Sequence, residues 1–371
     1  SAQFYQGTKS VAIGSLTGGN NQGPRSVAIG PWAAQYTQGA DSVAIGENAG
    51  YITQGSECVS IGYFTGYELQ GTKSIAIGQS SGKFSQKASS ISIGDQAAYT
   101  GQNTFSVAIG YQAGRYSQSS EAIAIGYRAG RDYQHGGSIA IGEYAGEYSQ
   151  GYHSIAIGSA AGQGCCCCSC YQQRYLAIAI GRSAGNCSQD HGTVAIGHLA
   201  GQNGQNYDSV AIGRGAGRYY QGRYSVAIGN NAGYGCECSQ GQYSVAIGYN
   251  AGYCYQADYS IILNACCGTV NASNWGFYVQ PIRPFNDSND DNSRRYWNVV
   301  YDPDSREVQV ASQMPQNLVS ANGDYTVQYS DVGKHVYKTG TVDFYIPTNG
   351  SVDFPLGTVI TLITADNSTH I

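Results

Sequence analysis

Large aliphatic residues recur along the first two thirds of the chain in pairs, two positions apart and separated by a small residue. The phrase SIAIG at residues 138–142 is typical, and it returns sixteen residues later at residues 154–158. Side chains two apart share one face of a strand, whereas a helix would space them three or four apart. The pattern therefore predicts a short β-strand, and the glycine that closes each phrase predicts a turn.

The closing glycine fixes the repeat length. It recurs at steps of sixteen from Gly14 to Gly158 and again from Gly181 to Gly229, and the steps to Gly181 and Gly248 are longer by seven and three residues. One such unit is too short to bury its own apolar residues, but stacked units bury them jointly. We therefore predict an all-β fold, a β-solenoid (β-roll) of sixteen 16-residue coils. At an inter-strand spacing of about 4.8 Å, it forms a rod of roughly 75 Å.

The periodicity divides the chain into three parts. Residues 1–268 form the predicted solenoid rod, and residues 269–312 form a connector with a β-hairpin around the turn sequence DPDS at 302–305. Residues 313–371 are predicted to form a small β-rich fibre-type domain. The chain opens in mid-repeat, with Gln6 already in phase, so we expect both ends to be incomplete or processed, including this last domain.

The Val and Ile columns are expected to form inner ladders, which would turn the small residue between them outward. Nothing large or charged stands in this column before Ile262. The small residues either fill a tight interior of the rod or allow a neighbouring chain to approach; we favour the neighbour, because closed homo-oligomers are common. The candidate subunit seam is Ala12, Ala28, Ala44, Ala76, Ala108, Ala124, Ala140, Ala156, Ala179, Ala195, Ala211, Ala227 and Ala246.

Glutamine occupies another column, eight residues after the closing glycine. Stacked amide side chains can each bond to the next, so this column predicts an amide ladder. Its members are Gln22, Gln38, Gln54, Gln70, Gln86, Gln102, Gln118, Gln134, Gln150, Gln173, Gln189, Gln205, Gln221, Gln240 and Gln256.

Cysteines fill the two insertions and recur one coil later. Neighbouring coils are close enough for a disulfide, so we expect clasps between coils or between chains in an oxidising setting. A metal cluster is the alternative, but the spacing lacks paired C-x₂-C knuckles. The candidate disulfide residues are Cys165, Cys166, Cys167, Cys168, Cys170, Cys187, Cys236, Cys238, Cys254, Cys266 and Cys267, and Cys58 stands alone.

Two resemblances extend this interpretation. The phrase SVAIGYQAG at 106–114 resembles the head repeat of trimeric autotransporter adhesins, a family that forms a left-handed β-roll with three chains side by side. The longer unit YSQGYHSIAIG at 148–158 is similar to fibre and tail-fibre proteins of phages and large DNA viruses. The segments DVGKHVY, YIP and FPLGT between residues 331 and 358 resemble a small β-domain at the distal end of such fibres. These resemblances imply an elongated homotrimer without catalytic residues.

Composition narrows the function further. Charged residues make up 12% of the chain and the net charge is −5, with no basic patch for nucleic acid. We expect no enzyme activity, no catalytic, cofactor-binding or metal site, and no membrane insertion, because the six histidines share no column and no apolar run is long enough to span a bilayer. The 32 tyrosines either stack on host sugars or cover the turns and subunit seams.

We therefore expect a structural fibre protein of a virus or phage, at the virion surface or outside the cell. Its partners would be two further copies of the chain, possibly with end-to-end assembly, and a host surface receptor or glycan. The alternatives are a bacterial or other cell-surface trimeric adhesin or appendage and, third, an ice-binding solenoid. The turn columns, with Tyr116, Asp132 and Tyr148 in equivalent places, vary too much for the flat array that ice binding requires.

Overall fold

A computed structural model describes most of the chain. It covers residues 5–164, 173–236 and 239–281, together with 298–301, 308–311, 316–318, 325–328, 335–338, 344–345 and 360–364. The chain divides into two compact units, Ser1–Ile282 and Arg283–Ile371. The described residues contain β-strands and turns and no helix.

The first unit is a parallel β-solenoid of about 17 turns, which confirms the predicted fold class. One strand of each turn carries the Val/Ile pair, and these strands form a single parallel ladder, here the Val/Ile sheet. Its strands are β2 (Val11–Ile13), β4 (Val27–Ile29), β6 (Val43–Ile45), β8 (Val59–Ile61), β10 (Ile75–Ile77), β12 (Ile91–Ile93), β14 (Val107–Ile109), β16 (Ile123–Ile125), β18 (Ile139–Ile141), β20 (Ile155–Ile157), β21 (Ile178–Ile180), β23 (Val194–Ile196), β25 (Val210–Ile212), β27 (Val226–Ile228), β28 (Val245–Gly248), β30 (Ser260–Asn264) and β32 (Gly276–Gln280).

The second ladder, here the Gln sheet, consists of strands that end in glutamine, except for the last, which ends in Ala272. It runs without a break through ten turns and resumes after each insertion in shorter groups. Its strands are β1 (Tyr5–Gln6), β3 (Asn21–Gln22), β5 (Thr37–Gln38), β7 (Thr53–Gln54), β9 (Glu68–Gln70), β11 (Phe84–Gln86), β13 (Thr100–Gln102), β15 (Tyr116–Gln118), β17 (Asp132–Gln134), β19 (Tyr148–Gln150), β22 (Cys187–Gln189), β24 (Asn203–Gln205), β26 (Tyr219–Gln221), β29 (Ala251–Gln256) and β31 (Val270–Ala272).

Both insertions leave the register of the Val/Ile sheet intact. Ile155 pairs with Ile178 across the first insertion, and Val226 pairs with Val245 across the second, so like residues stay stacked. The ladder also continues past residue 268, the predicted boundary, because Ile261 pairs with Phe277. The sequence concealed this last turn because aromatic residues replace the usual phrase there.

The interior of the rod is narrow and is filled by small and polar side chains. Ala124 and Ala129 represent two alanine columns, and Gln118 and Ser106 represent a glutamine and a serine column; all four residues are fully buried. Strands of three residues joined by tight turns leave little cross-section. The inward position holds alanine or serine from Ala12 to Ala246 and isoleucine at Ile262, whereas the Val/Ile pairs do not point inside. They lie on the outer face of their sheet, and the prediction that they form inner ladders is wrong.

The turns depend on glycine and on left-handed backbone. The closing glycine Gly126 has a φ of +132°, and a Cβ built on it would lie 2.6 Å from the carbonyl oxygen of Gly142 in the next coil. Real Cβ contacts are longer, so a side chain would force the coils apart. This close stacking explains why the column contains glycine through fifteen repeats before Asn264.

The second unit is also built from strands. β33 (Asn298–Tyr301) and β34 (Val308–Ala311) pair antiparallel, which confirms the predicted hairpin. Further on, the described strands pair in parallel as two alternating sets. One set is β35 (Gln316–Leu318), β37 (His335–Lys338) and β39 (Thr361–Thr364), and the other is β36 (Tyr325–Thr326) and β38 (Phe344–Tyr345).

Candidate functional site

The most extensive surface feature of the solenoid is a strip of aliphatic side chains. We call the outward residues of the Val/Ile sheet the Val/Ile strip. Most of them, such as Val107 and Ile109, are half-buried, and Ile141 and Ile247 are 36% and 39% exposed. No charged residue stands in either column from Val11 to Val279. A continuous exposed apolar strip is typical of an interaction surface.

The alanine column is not that surface. Twelve of the thirteen proposed seam alanines have no exposed area, and Ala12, in the first complete coil, is partly buried. They are covered by their own chain, packed against the second alanine column across the interior. The predicted seam at Ala12, Ala28, Ala44, Ala76, Ala108, Ala124, Ala140, Ala156, Ala179, Ala195, Ala211, Ala227 and Ala246 is therefore wrong, and the alternative of a tight interior is correct.

Alternation along the strand explains this reversal. Alanine and the Val/Ile pair do lie on opposite faces, as predicted, but the smaller residue faces inward because the narrow interior excludes the larger ones. The sequence contained a signal for this in the second alanine column, represented by Ala113 and Ala129, which is as restricted in size as the first. Two small columns on successive segments indicate one confined interior.

The glutamine column forms the predicted amide ladder over much of the rod. The Nε2 of Gln118 donates to the Oε1 of Gln134 at 3.1 Å and to the carbonyl of Val107 at 2.8 Å. Among the described residues, such amide-to-amide bonds join Gln38 to Gln54, Gln70 to Gln86, Gln86 to Gln102, Gln102 to Gln118, Gln118 to Gln134, Gln134 to Gln150, Gln189 to Gln205 and Gln240 to Gln256.

The ladder also ties the two sheets together. Each Gln side chain in the bonded stretches crosses the interior and donates to the backbone carbonyl of the first Val or Ile in a strand of the other sheet, as Gln134 does to Ile123 at 2.7 Å. Interruptions occur: the buried Oε1 atoms of Gln22, Gln173 and Gln221 accept no hydrogen bond. The amides therefore act as cross-struts in an interior that has few apolar contacts.

One predicted cysteine clasp is present. Cys236, in the second insertion, forms a disulfide with Cys254 one coil later, with a Cα separation of 4.8 Å. The bond joins adjacent coils of one chain. Cys165, Cys166, Cys167, Cys168, Cys170 and Cys238 lie outside the described residues.

The other described cysteines differ in environment. Cys58 is buried in the serine column, where its thiol donates to the carbonyl of Gly71 at 2.9 Å, and burial raises its pKa. Cys187 donates to the Oδ1 of Asn186 at 3.1 Å. Cys266 and Cys267 lie at the surface with their sulfurs 4.0 Å apart, and the pKa of Cys266 is lowered by a hydrogen bond from the backbone of Gly268 and one from Cys267.

Tyrosines stack in columns on the outer turns. The rings of Tyr224, Tyr243 and Tyr259 are stacked at 5.0 and 5.3 Å between centroids. Another column contains both histidine and tyrosine, with His191 stacked 5.5 Å from Tyr207. Rings one coil apart fall naturally at stacking distance because of the coil spacing. Many of these rings remain exposed, so they cover the turns and also offer flat apolar surfaces to a partner.

Lys83 lies among aromatic rings, an arrangement that the sequence analysis did not predict. Its Nζ lies 4.7 Å from the ring centroid of Phe64, 5.1 Å from that of Phe84 and 5.4 Å from that of Tyr99, a cation–π cluster spanning three coils. Only the column alignment brings these rings together. Lysine standing between aromatic residues in one turn column is the signal that sequence reasoning missed.

In the described part of the chain, no three His, Cys, Asp or Glu side chains come together as a metal site would require. Nor does that part contain a helix with the length and hydrophobicity to cross a bilayer.

Comparison with known protein families finds a match within the repeats. A family model, the YadA head domain repeat, matches in two copies over residues 239–251. This stretch contains Gln240, the phrase SVAIG at 244–248 and Ala251, so the match falls on the repeat itself. No curated protein matches the chain. The similarity and the solenoid together fit a β-roll protein like those of trimeric autotransporters, and they suggest an adhesin-like fibre.

Proposed function

We propose that this chain forms the rod of a homotrimeric attachment fibre that acts outside the cell. The Val/Ile strip is the observation that carries the proposal. It runs along the whole solenoid, it is apolar throughout, and in a single chain much of it is open to water. A chain that buries this strip against copies of itself removes a large apolar area from solvent, at about 25 cal/mol per Å².

Three parallel chains are the arrangement that we propose. A cyclic assembly around an axis parallel to the rod aligns the strip of each chain with those of the others over its full length. The similarity to the YadA head repeat supports three as the number of chains, because the autotransporter adhesins that this repeat resembles are trimers. The disulfide between Cys236 and Cys254 supports an oxidising, extracellular location.

The particle that carries the fibre is the finer part of the proposal. We propose a virus or phage, because the segments between residues 331 and 358 resemble the distal domain of viral fibres. A bacterial surface adhesin is the second candidate, and the match to the YadA head repeat favours it. Both assign the rod a structural and binding role, without catalysis. Gold-labelled antibodies against the rod separate the two, because they label virions in the first case and cell envelopes in the second.

Attachment itself is tested with coated beads under flow. Beads that carry the purified protein should be retained on at least one surface in a panel of bacterial, algal and animal cells. Beads coated with an Ile109→Asp/Ile125→Asp variant provide the matched control, because that variant keeps the outer turns but loses the apolar strip. Failure of the wild-type beads to bind any surface in the panel would contradict an attachment role.

A further inference from the structure

A groove opens over the Gln strands β22, β24 and β26 and the turns that follow them, between residues 174 and 223. It encloses about 450 Å³, within the range of small-ligand sites. Its lining includes Arg174, Asp190, Asn206, Tyr220 and Arg223. These residues occupy columns other than those of the Val/Ile strip, so an assembly through the strip leaves the groove available.

One coil lacks a side chain at the groove. Gly204 stands in a column where the next coil carries Tyr220, and its φ of +74° belongs to the left-handed region. A Cβ built on Gly204 would lie 3.0 Å from Cδ1 of Tyr220, so even a methyl group would press on that ring. Gly204 lines the groove, and the Tyr220 ring packs over the position that a side chain on Gly204 would take.

The groove is positively charged in an acidic protein. Its charged lining residues are Arg174, Arg223 and Asp190, so the lining carries one net positive charge, whereas the whole chain has a net charge of −5. Arg174 is paired with Asp190 at 3.3 Å. Arg223 lies over the ring of Tyr207 at 5.1 Å and forms no ion pair with any described residue. Its guanidinium can therefore bind a carboxylate by donating two hydrogen bonds to it.

The remaining lining offers flat rings beside hydrogen-bonding groups. Tyr220 is 67% exposed, and the Tyr207 ring is fixed by stacking on His191. The Asp190 carboxylate and the Asn206 side chain lie beside these rings. An aromatic face packs against the C–H face of a sugar ring, and carboxylate and amide groups bond its hydroxyls.

We propose that this groove binds a saccharide that carries a carboxylate, such as a uronic acid unit of a surface glycan. Arg223 would pair with the carboxylate, the tyrosine rings would pack against the sugar, and Asp190 and Asn206 would bond hydroxyls. A peptide ligand fits less well, because the groove has no deep aliphatic pocket for a side chain anchor. The inference rests on the proposed attachment function and names the chemical class of its receptor.

The probe is a trimer of galacturonic acid, and its fully methyl-esterified form is the matched neutral ligand. Binding to the purified full chain is measured by saturation-transfer NMR and calorimetry. The acid should bind at least about tenfold more tightly than the ester, because a bidentate charged pair is worth roughly 1.5–3 kcal/mol. Equal binding of acid and ester, or no binding of either, would overturn the proposal.

Two variants connect the binding to the groove. Gly204→Asn keeps a residue that tolerates left-handed backbone but adds a side chain against Tyr220, so it should abolish binding. Gly101→Asn is its matched control: Gly101 occupies the same column with a φ of +73°, but an added Cβ there would meet only Ser117, at 3.6 Å. Arg223→Gln should remove the preference for the acid while weak binding of both ligands remains. Equal effects of the two glycine variants would contradict the proposal.

The outcomes also separate this inference from the proposed function. If beads attach to cells but Gly204→Asn beads attach equally well and neither galacturonate ligand binds, the groove is not the receptor site and the attachment function stands. If neither wild-type nor variant beads attach to any cell, the proposed function fails, whatever the galacturonate result. Competition by inorganic sulfate equal to that by galacturonate would show simple charge attraction and overturn the saccharide assignment.

Discussion

The closing glycine controls how closely successive coils approach. We expect Gly126→Ala to destabilise the rod by about 2–4 kcal/mol, because the new Cβ would meet the Gly142 backbone, which the next coil holds in place. Gly101→Ala is the control. Gly101 also has a positive φ, but an added Cβ there has room, so this variant should lose only about 1 kcal/mol of stability. Thermal unfolding followed by circular dichroism measures both. Equal shifts in the two midpoints would show that coil contact is not the constraint.

The buried amide of Gln118 carries four hydrogen bonds. It donates to Val107, Ala122 and Gln134 and accepts from Gln102. We expect Gln118→Leu to cost about 2–5 kcal/mol, because it leaves buried backbone and amide groups without partners. Gln79→Leu, on the exposed turn, should change the unfolding midpoint little. A small loss for Gln118→Leu would mean that the ladder fills space without bonding the sheets.

Burial of Cys58 predicts a dependence of stability on pH. Its pKa is raised above the ordinary value of 9.0, so the folded chain holds this proton more tightly than the unfolded chain. Its contribution is complete below pH 9 and is lost as the pH rises through the folded pKa. Cys58→Ser, which restores the usual residue of that column, should therefore lose less stability between pH 8.5 and 10.5 than wild type. If the free energy of unfolding fell equally with pH in the two proteins, this account would be contradicted.

At the scale of the coil, the clasp between Cys236 and Cys254 joins the second insertion to the next coil. We expect Cys254→Ser to destabilise the adjacent coils by about 2–3 kcal/mol, because the insertion then gains conformational freedom when it unfolds. Hydrogen exchange of residues 239–256 should speed up in the variant, and in wild type after reduction. Cys266→Ser, at the surface, is the control and should leave this exchange unchanged. Unaltered protection in Cys254→Ser would show that the clasp adds no local stability.

Sequence patterns predicted the strands, the repeat length and the Gln ladder, because each of these depends on residue spacing that recurs from Val11 to Leu263. They did not predict which face of the Val/Ile sheet points inward. Both faces are apolar, so the choice depends on the cross-section of the coil, which three-dimensional closure sets. The sequence also did not predict the seventeenth turn. Backbone pairing continues through Phe277 after the side-chain pattern has ended.

At the scale of the molecule, the candidate sites differ in how far the sequence reveals them. Column spacing predicted disulfide clasps between coils or between chains, because neighbouring coils are one disulfide length apart, but it did not fix the pairing of Cys236 with Cys254. The groove between residues 174 and 223 cannot be predicted from the sequence. It is lined by Gly204, which has no side chain and lies between two coils that carry larger residues in the same column. Glycine also stands in this variable column at Gly101, so the sequence does not reveal which glycine lines a groove until the coils are stacked.

The native mass of the purified protein in solution, measured by light scattering under oxidising conditions, tests the central claim most directly. The account predicts three times the chain mass of 39.2 kDa. Ile109→Asp/Ile125→Asp should lower that mass to one chain and keep the β-sheet circular dichroism, whereas Gln79→Asp on the exposed turn should remain trimeric. A wild-type monomer, or a trimer unaffected by aspartates in the Val/Ile strip, would contradict the claim that this strip joins the subunits.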